Sequence, residues 1–164
     1  MGIFSKLFGS KEANTNQLFA PMVGQAVPVT EVPDPTFAEG MLGNGIAIIP
    51  SQGKVFAPCD ATVDMMFPTG HAVSLRAASG AEVLIHVGLE TVSLEGKPFT
   101  IHVASGETVK KGQLPMEVDL EAIKAAGLNP ITPMLVCNSD DYPGFTTLVG
   151  KSVTNEDAVI KLGK

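Results

Sequence analysis

Apolar residues in this chain come in short runs that Gly and Pro interrupt, without the sustained helical period of a long helix. Runs of about four to eight residues between turn-forming residues are typical of β-strands. The pattern therefore predicts strands over residues 24–28, 45–50, 53–57, 61–67, 71–77, 82–89, 99–103, 135–138 and 159–162.

One segment shows a helical pattern with suitable residues at both ends. Asp119 is a good N-cap residue, and Gly127 is a good terminator. Leu120, Ile123 and Ala126 fall on one helical face between them. We expect a short helix that lies outside the sheets.

Two stretches of the sequence echo each other. The segment APMVGQAV, residues 20–27, resembles APCDATV, residues 57–63, and each leads into an apolar strand. Such an echo fits a sandwich of two related halves. The 17 Gly and 12 Pro residues favour turn-rich β structure. We therefore predict an all-β fold, an antiparallel β-sandwich or barrel of two related halves with short helical pieces.

Length, charge and cysteine content narrow the class of protein. The 164 residues suffice for one compact domain, and the net charge of −6 argues against a nucleic-acid partner. The same charge would steer a basic protein partner toward the chain. Cys59 and Cys137 lack a CxxC spacing, so we expect two reduced thiols. No apolar run approaches membrane-spanning length and MGIFSKLFG lacks a signal-peptide pattern, which predicts a cytoplasmic protein.

The first 17 residues are predicted to form a tail that is separate from a domain over residues 18–164. Four apolar side chains of the tail share one helical face: Ile3, Phe4, Leu7 and Phe8. A weakly amphipathic segment of this kind can lie on a membrane surface, and a flexible, frayed terminus explains the same residues equally well. Any membrane contact of the chain is expected only through this tail.

Two of the three histidines lie in one predicted hairpin, GHAVSLRAASGAEVLIHVGLE. Ser79 and Gly80 suit a two-residue turn, because glycine tolerates a positive φ. That turn pairs Val73 with His86. His71 and His86 then share one face of the hairpin, with their backbones about 7–8 Å apart.

In this register the histidine face forms an apolar surface patch, while the opposite face fills the core. The predicted patch contains His71, Val73, Leu75, Leu84, His86 and Gly88. The predicted core face contains Ala72, Ser74, Val83, Ile85 and Val87. An apolar patch with two imidazoles at its centre suits a partner protein that docks onto reactive groups.

The histidines also have simpler explanations. Each ring can be a partly buried residue with satisfied hydrogen bonds, although Thr69, Glu90 and Thr91 supply hydroxyl and carboxylate groups nearby in sequence. A zinc ion would need a third protein ligand besides two histidines. His102, in FTIHVASGE, shows no pattern that ties it to the pair, and we expect a solvated strand residue.

The segments around both histidines, FPTGHAVSL and VLIHVGLETVSLEG, resemble the histidine motifs of one bacterial family. It comprises the glucose-type IIA components of the phosphoenolpyruvate-dependent sugar phosphotransferase system. VPDPTFAEGMLGNGIAI, residues 32–48, and GKVFAPCDATV resemble the same family. The resemblance runs from about Leu18 to the C-terminus, with the motifs in order.

The resemblance implies both a fold and a reaction. Family members are antiparallel β-sandwiches with short helical pieces. The histidine at the position of His86 accepts a phosphoryl group from the phosphohistidine of the carrier HPr. It passes the group to a cysteine of the IIB domain of a membrane sugar permease. The histidine at the position of His71 supports the transfer to IIB, and Thr69 matches a threonine that hydrogen-bonds in the same site.

Further positions follow from the same resemblance. An apolar rim around the histidines corresponds to Phe37, Met41, Leu42, Phe67, Leu84 and Val92. Asp34 matches an aspartate at the edge of the site, and Glu90 stands where the family often has Asp. Members of the family also bind regulated permeases or kinases. The reaction requires no cofactor, although His71 and His86 could share a zinc ion with a partner's carboxylate.

Three other functions stay open for such a chain. A zinc hydrolase needs a third ligand, and HAVSL carries no Asp a few residues after its histidine. A non-catalytic regulatory binding module is compatible with the same apolar patch. ASGETVKKGQLPMEV resembles a hairpin of biotinyl-type carriers, but the modified Lys between two Met is missing.

Overall fold

Short strands make up most of the regular structure in residues 16–163, the part of the chain that the computed structural model describes. The strands are β1 (Gln17–Phe19), β2 (Gly24–Pro28), β3 (Asn44–Pro50), β4 (Lys54–Val55), β5 (Ala61–Met66), β6 (Ala72–Ala77), β7 (Glu82–His86), β8 (Phe99–Ile101), β9 (Thr108–Val109), β10 (Met116–Val118), β11 (Thr132–Val136), β12 (Thr146–Thr147), β13 (Lys151–Val153) and β14 (Ala158–Lys161). The helices are α1 (Pro35–Ala38) and α2 (Leu120–Ala125), and 3₁₀ turns occur at Val29–Glu31, Thr91–Leu94 and Ser139–Asp141.

The strands form three antiparallel sheets around one main core. The large sheet has the order β13-β2-β3-β11-β7-β6-β5-β9, and the small sheets have the orders β1-β14-β12 and β4-β10-β8. Val73 and Ile85 of the large sheet share a buried cluster with Met116 and Ile160 of the small sheets. The predicted antiparallel β-sandwich is therefore confirmed.

A second, smaller apolar cluster lies on the opposite face of the large sheet. Successive residues of one strand alternate between the clusters, as the pleat requires: Met134 of β11 joins the main core and Leu135 joins the second cluster. Phe37 of α1 and Leu89 cover this second cluster from outside the sheet. The large sheet is thus packed on both faces where these elements cross it.

The two echoing segments lie side by side. The backbone N–H of Phe19 donates to the carbonyl of Pro58 (2.9 Å), and that of Phe56 donates to the carbonyl of Pro21 (2.7 Å). Because Phe-Ala-Pro occurs at both places, the two bonds are reciprocal. This reciprocity supports the expected relation between two halves of the sandwich.

The predicted helix forms as α2, with one difference. The Asp119 carboxylate caps it by accepting from the N–H of Ala122, and Gly127 follows its end with φ of +80°. Ile123 is fully buried, whereas Ala126 is exposed and does not share that buried face.

Several strands were not predicted from the sequence: β1, β9, β10, β12 and β13. Each has only two or three residues, which is too few to show an alternating pattern. The prediction for β11 was displaced as well. Every residue of that strand is buried, so no alternation of buried and exposed residues marks where the strand begins or ends.

The hairpin of β6 and β7 has a different register from the predicted one. Ala72 pairs with His86, and Ala77 and Ala81 close the loop through the Ala77 N–H and the Ala81 carbonyl. The loop therefore holds three residues rather than two. Gly80 occupies its last position with φ of +94°, as a three-residue hairpin loop requires.

This shift of one residue exchanges the two faces of β6. Val73 and Leu75 point into the main core together with Val83, Ile85 and Val87, and do not belong to the surface patch. The prediction of the hairpin faces was wrong for β6 for that reason. The outward face carries Ala72 and Ser74 of β6 and Leu84 and His86 of β7.

Residues 1–15 of the predicted tail lie outside the described residues, and its last residue, Gln17, begins β1 and pairs with Lys161 of β14. No helix within residues 16–163 is both long and apolar enough to cross a membrane. Cys59 is a buried free thiol whose pKa is raised to about 12 by burial, and Cys137 is an exposed free thiol.

Candidate functional site

The rings of His71 and His86 are direct neighbours on the outer face of the large sheet. Their centroids are 5.2 Å apart and their planes meet at 77°, an edge-to-face arrangement. The sequence predicts that the two rings lie close together. The backbone brings them together differently from the prediction, because His71 pairs with Val87, whose N–H donates to the His71 carbonyl (2.7 Å).

A turn before β6 directs His71 toward its partner. Phe67 and Gly70 close the turn, with the Gly70 N–H donating to the Phe67 carbonyl (2.7 Å). His71 follows at a bend, one residue before the strand begins, so the alternation of β6 does not govern its direction. The ring therefore reaches the outer face although Val73, two residues later, points inward.

His86 has a defined arrangement of its ring proton. Its Nδ1 lies 2.7 Å from the carbonyl oxygen of Gly88. A carbonyl only accepts hydrogen bonds, so Nδ1 carries the proton and the neutral ring keeps its lone pair on Nε2. The ring of Phe37 packs beside it, with centroids 5.1 Å apart. Nε2 is therefore the nitrogen available as a nucleophile.

His71 is largely shielded from solvent and is held by a hydroxyl group. Only 8 % of the residue is exposed, and the Thr69 Oγ1 lies 2.5 Å from its Nδ1. The Phe67 ring packs against the imidazole with centroids 5.3 Å apart. When the Thr69 hydroxyl donates to Nδ1, the neutral ring carries its proton on Nε2 and becomes a hydrogen-bond donor there.

The position between Thr69 and His71 requires a glycine, Gly70. Its φ of +73° is in the left-handed region, which favours glycine. A Cβ at this position would lie 2.9 Å from the Cβ of Phe99 and 3.1 Å from a side-chain carbon of Ile101. The glycine thus lets the turn pack against β8.

Burial lowers the pKa of both imidazoles below the ordinary value of 6.5. The neighbouring His86 lowers the pKa of His71 further. For His86, the hydrogen bond to Gly88 and the carboxylate of Asp34 raise the pKa without cancelling the effect of burial. Both rings are therefore neutral at pH 7, the form in which an imidazole nitrogen is nucleophilic.

The predicted rim residues differ in exposure. Phe37 is buried beside His86, and Leu84 is half-buried against the second apolar cluster. Three others are unusually exposed for apolar side chains: Met41 at 69 %, Val92 at 51 % and Leu42 at 39 %. Exposed apolar groups of this size are typical of protein-binding surfaces.

The two predicted acidic residues of the site have different local roles. Asp34 is the N-cap of α1, where its carboxylate accepts from the Thr36 N–H (3.0 Å), and its charge acts on His86. Glu90 is exposed and has φ of 59° just before the turn at Thr91–Leu94. A side chain at positive φ is strained, so the loop after His86 is held in an uncommon conformation.

The carbonyl of Gly88 was not anticipated as part of the site. The only sequence signal is a glycine two residues after a histidine at the end of a predicted strand. His102 stands apart from the pair and is exposed, as expected, but it follows the end of β8 rather than lying in a strand. Its Nε2 lies 2.8 Å from the Glu117 carboxylate. Among the side chains of residues 16–163, no group of three or more His, Cys, Asp or Glu is arranged to hold a metal ion.

Residues 16–142 match the protein family described as phosphoenolpyruvate-dependent sugar phosphotransferase system, EIIA 1. The chain is 42 % identical over 153 residues to the PTS system glucose-specific EIIA component of Bacillus cereus, and the match covers 93 % of both chains. It is 50 % identical over 136 residues to the PTS system beta-glucoside-specific EIIBCA component of Dickeya chrysanthemi, covering 83 % of this chain and 22 % of that protein. The solved structure of glucose permease IIA from Mycoplasma capricolum matches with a TM-score of 0.81 and 32 % identity, covering 89 % of this chain and 94 % of that one.

Proposed function

Because the chain belongs to the EIIA 1 family of the phosphoenolpyruvate-dependent sugar phosphotransferase system, we propose that it carries the phosphoryl group on Nε2 of His86. One observation carries this assignment. The hydrogen bond from Nδ1 to the Gly88 carbonyl leaves Nε2 as the basic nitrogen, in a ring that contacts a second imidazole and the ring of Phe37.

Acceptance of the phosphoryl group is a displacement at phosphorus. Nε2 of His86 attacks the phosphohistidine of HPr, a P–N bond to His86 forms, and the P–N bond to HPr breaks. The HPr imidazole leaves with the electron pair, and the proton on Nδ1 of His86 stays bonded to Gly88. A loose transition state of this kind needs alignment and hydrogen-bond donors rather than a strong base.

Donation reverses the role of His86. A cysteine thiolate of a IIB domain attacks the phosphorus, and Nε2 of His86 leaves with the electron pair. His71, held at Nδ1 by Thr69, presents an N–H that can donate to a phosphoryl oxygen as charge develops. The IIB partner is supported by the Dickeya relative, whose printed name combines components B, C and A.

The exposed apolar rim explains how proteins serve as substrates. Docking of a partner over Met41, Leu42 and Val92 removes water from the reacting atoms, which slows hydrolysis of the phosphohistidine. We place the reaction in the cytoplasm. We also propose regulated permeases or kinases as further partners, and a zinc ion held by His71, His86 and a partner's carboxylate as a conditional addition.

Reconstitution with purified components tests this function. The chain, phosphoenolpyruvate, enzyme I and HPr are incubated, and the intact mass is measured for the wild type, His86→Gln and His102→Gln. We expect one acid-labile phosphoryl adduct on the wild type and on His102→Gln, and none on His86→Gln. An unmodified wild type in the presence of phosphorylated HPr would contradict the proposal and favour a purely regulatory binding module.

A further inference from the structure

We propose that Thr91 is a positioning residue for the reaction at His86, because it holds the loop whose carbonyl determines which nitrogen of His86 carries the proton. Thr91 is fully buried, although it lies between two exposed residues, Glu90 and Val92. The inference rests on the proposed function, since it concerns how the same ring is prepared for phosphoryl transfer.

Both branches of the Thr91 side chain contact the loop that follows His86. The hydroxyl donates to the carbonyl of Val87 (2.6 Å). The methyl group packs so closely against Gly88 that a Cβ added to this glycine would lie 2.6 Å from the methyl carbon. Gly88, with φ of +78°, is therefore held from two sides at the point where its carbonyl turns toward the His86 ring.

The peptide unit between Gly88 and Leu89 is also tied at both ends. Its carbonyl accepts from Nδ1 of His86 (2.7 Å), and its N–H donates to the carbonyl of Asn129 (2.9 Å). A peptide unit is planar, so fixing the N–H direction fixes the carbonyl direction. Successive hydrogen bonds of this kind also polarise one another.

The backbone just before Thr91 is strained, and a hydrogen bond of Thr91 helps to hold it. Glu90 is held at φ of 59°, and residues in this region persist only where the surroundings determine their conformation. The hydroxyl of Thr91 closes the loop over Glu90 by bonding back to Val87. Without that bond the peptide unit after Gly88 is held only through Asn129, so its carbonyl is less firmly directed at the His86 ring and selects the tautomer less strongly.

Two substitutions separate the hydroxyl from the methyl group. Thr91→Val keeps the shape and removes the hydroxyl, whereas Thr91→Ser keeps the hydroxyl and removes the methyl. Tyr142→Phe is the matched control, because it removes another buried hydroxyl-to-carbonyl bond, to Ser79, at the opposite end of the hairpin.

The tautomer of His86 is read from the ¹⁵N shifts of its ring nitrogens in the unphosphorylated protein, and acceptance from HPr is measured in parallel. We expect Thr91→Val to lower the share of the Nδ1–H form and to slow acceptance by about tenfold or more. Thr91→Ser and Tyr142→Phe are expected to keep the tautomer of the wild type and a rate within about threefold of it.

Two results would overturn the inference. One is a Thr91→Val variant that melts at a lower temperature but keeps the wild-type tautomer and rate, which is what a merely structural threonine predicts. The other is a wild-type His86 that carries its proton on Nε2, a measurement that needs no variant. If the wild type accepts no phosphoryl group at all, the proposed function fails instead, while the tautomers still test the role of Thr91.

Discussion

The imidazoles of His71 and His86 are 5.2 Å apart although they belong to different positions of the β-ladder, since His71 bonds to Val87 and His86 pairs with Ala72. His86 extends from the regular outer face of β7. His71 reaches the same place from a bend before β6. Two rings held by separate backbone segments have separate hydrogen-bond partners, so the partner of each ring can be changed on its own.

Replacement of His71 should separate the two half-reactions. We expect His71→Gln to accept a phosphoryl group from HPr but to donate it to IIB about a hundredfold more slowly, because a donor to the developing charge is lost. Acceptance and donation are measured separately by rapid-quench assays, with His102→Gln as the control. Donation at the wild-type rate would remove the role assigned to His71.

The hydroxyl of Thr69 should act through His71. Thr69→Val removes the partner of Nδ1 while keeping the shape of the side chain. We expect donation to IIB to slow by about tenfold with little change in acceptance, and Thr69→Ser to restore the rate. Equal loss in Thr69→Val and Thr69→Ser would show that shape, rather than the hydrogen bond, is what matters.

The depressed pKa values of His71 and His86 predict how acceptance and stability depend on pH. Because folding lowers both pKa values, the neutral nucleophile still predominates at pH 6.5, and the midpoint of the decline in acceptance lies below that pH. The unfolded chain binds protons at higher pH than the folded one does. The stability is therefore complete above pH 6.5 and decreases as the pH falls through the window below it.

Parallel measurements check this expectation. NMR titration follows each ring, and thermal unfolding is recorded over the same pH range for the wild type and for His86→Gln. The variant should lose less stability on acidification than the wild type. A histidine pair that titrates above pH 6.5 would contradict the description of both rings as neutral at pH 7.

The turn before His71 should be sensitive to any side chain at Gly70. Gly106 supplies a matched control, because its φ of +93° is also left-handed but nothing lies within 4 Å of its Cβ position. We expect Gly106→Ala to lower the free energy of unfolding by about 1 kcal/mol through backbone strain alone. Gly70→Ala should lower it by about 1 kcal/mol more, because it also contacts Phe99.

Chemical denaturation measures the unfolding free energies of both variants. The rate of donation to IIB shows whether Thr69 has been displaced from His71. Gly70→Ala should slow donation, whereas Gly106→Ala should leave it unchanged. Equal losses of stability in Gly70→Ala and Gly106→Ala would mean that β8 shifts to accommodate the methyl group added at Gly70.

The hairpin shows what the sequence could and could not predict. The residues Ser79 and Gly80 indicated a turn correctly, but glycine at positive φ serves a two-residue and a three-residue loop equally well. The difference of one residue in loop length exchanges the inner and outer faces of β6. Because β6 has apolar residues on both faces, its sequence does not show which face is buried. The histidines nevertheless lie close together as predicted. His71 precedes β6, so its direction does not depend on the register of that strand.

Other parts of the site depend on backbone groups that carry no sequence signal. The Gly88 carbonyl acts on His86 through a main-chain oxygen, which any residue possesses. The second apolar cluster arises from alternate residues of strands that are buried on both faces, such as β11, where periodicity gives no direction. The family motifs, in contrast, were recognisable from the residues alone.

The nitrogen that carries the phosphoryl group shows whether His86 reacts in the tautomer that the Gly88 carbonyl favours. The protein is phosphorylated through enzyme I and HPr, and ¹⁵N NMR of the histidine side chains assigns the modified nitrogen. We expect phosphorylation at Nε2 of His86, with Nδ1 still protonated and bonded to Gly88. A phosphoryl group on Nδ1 of His86, on His71 or on any other residue would contradict it.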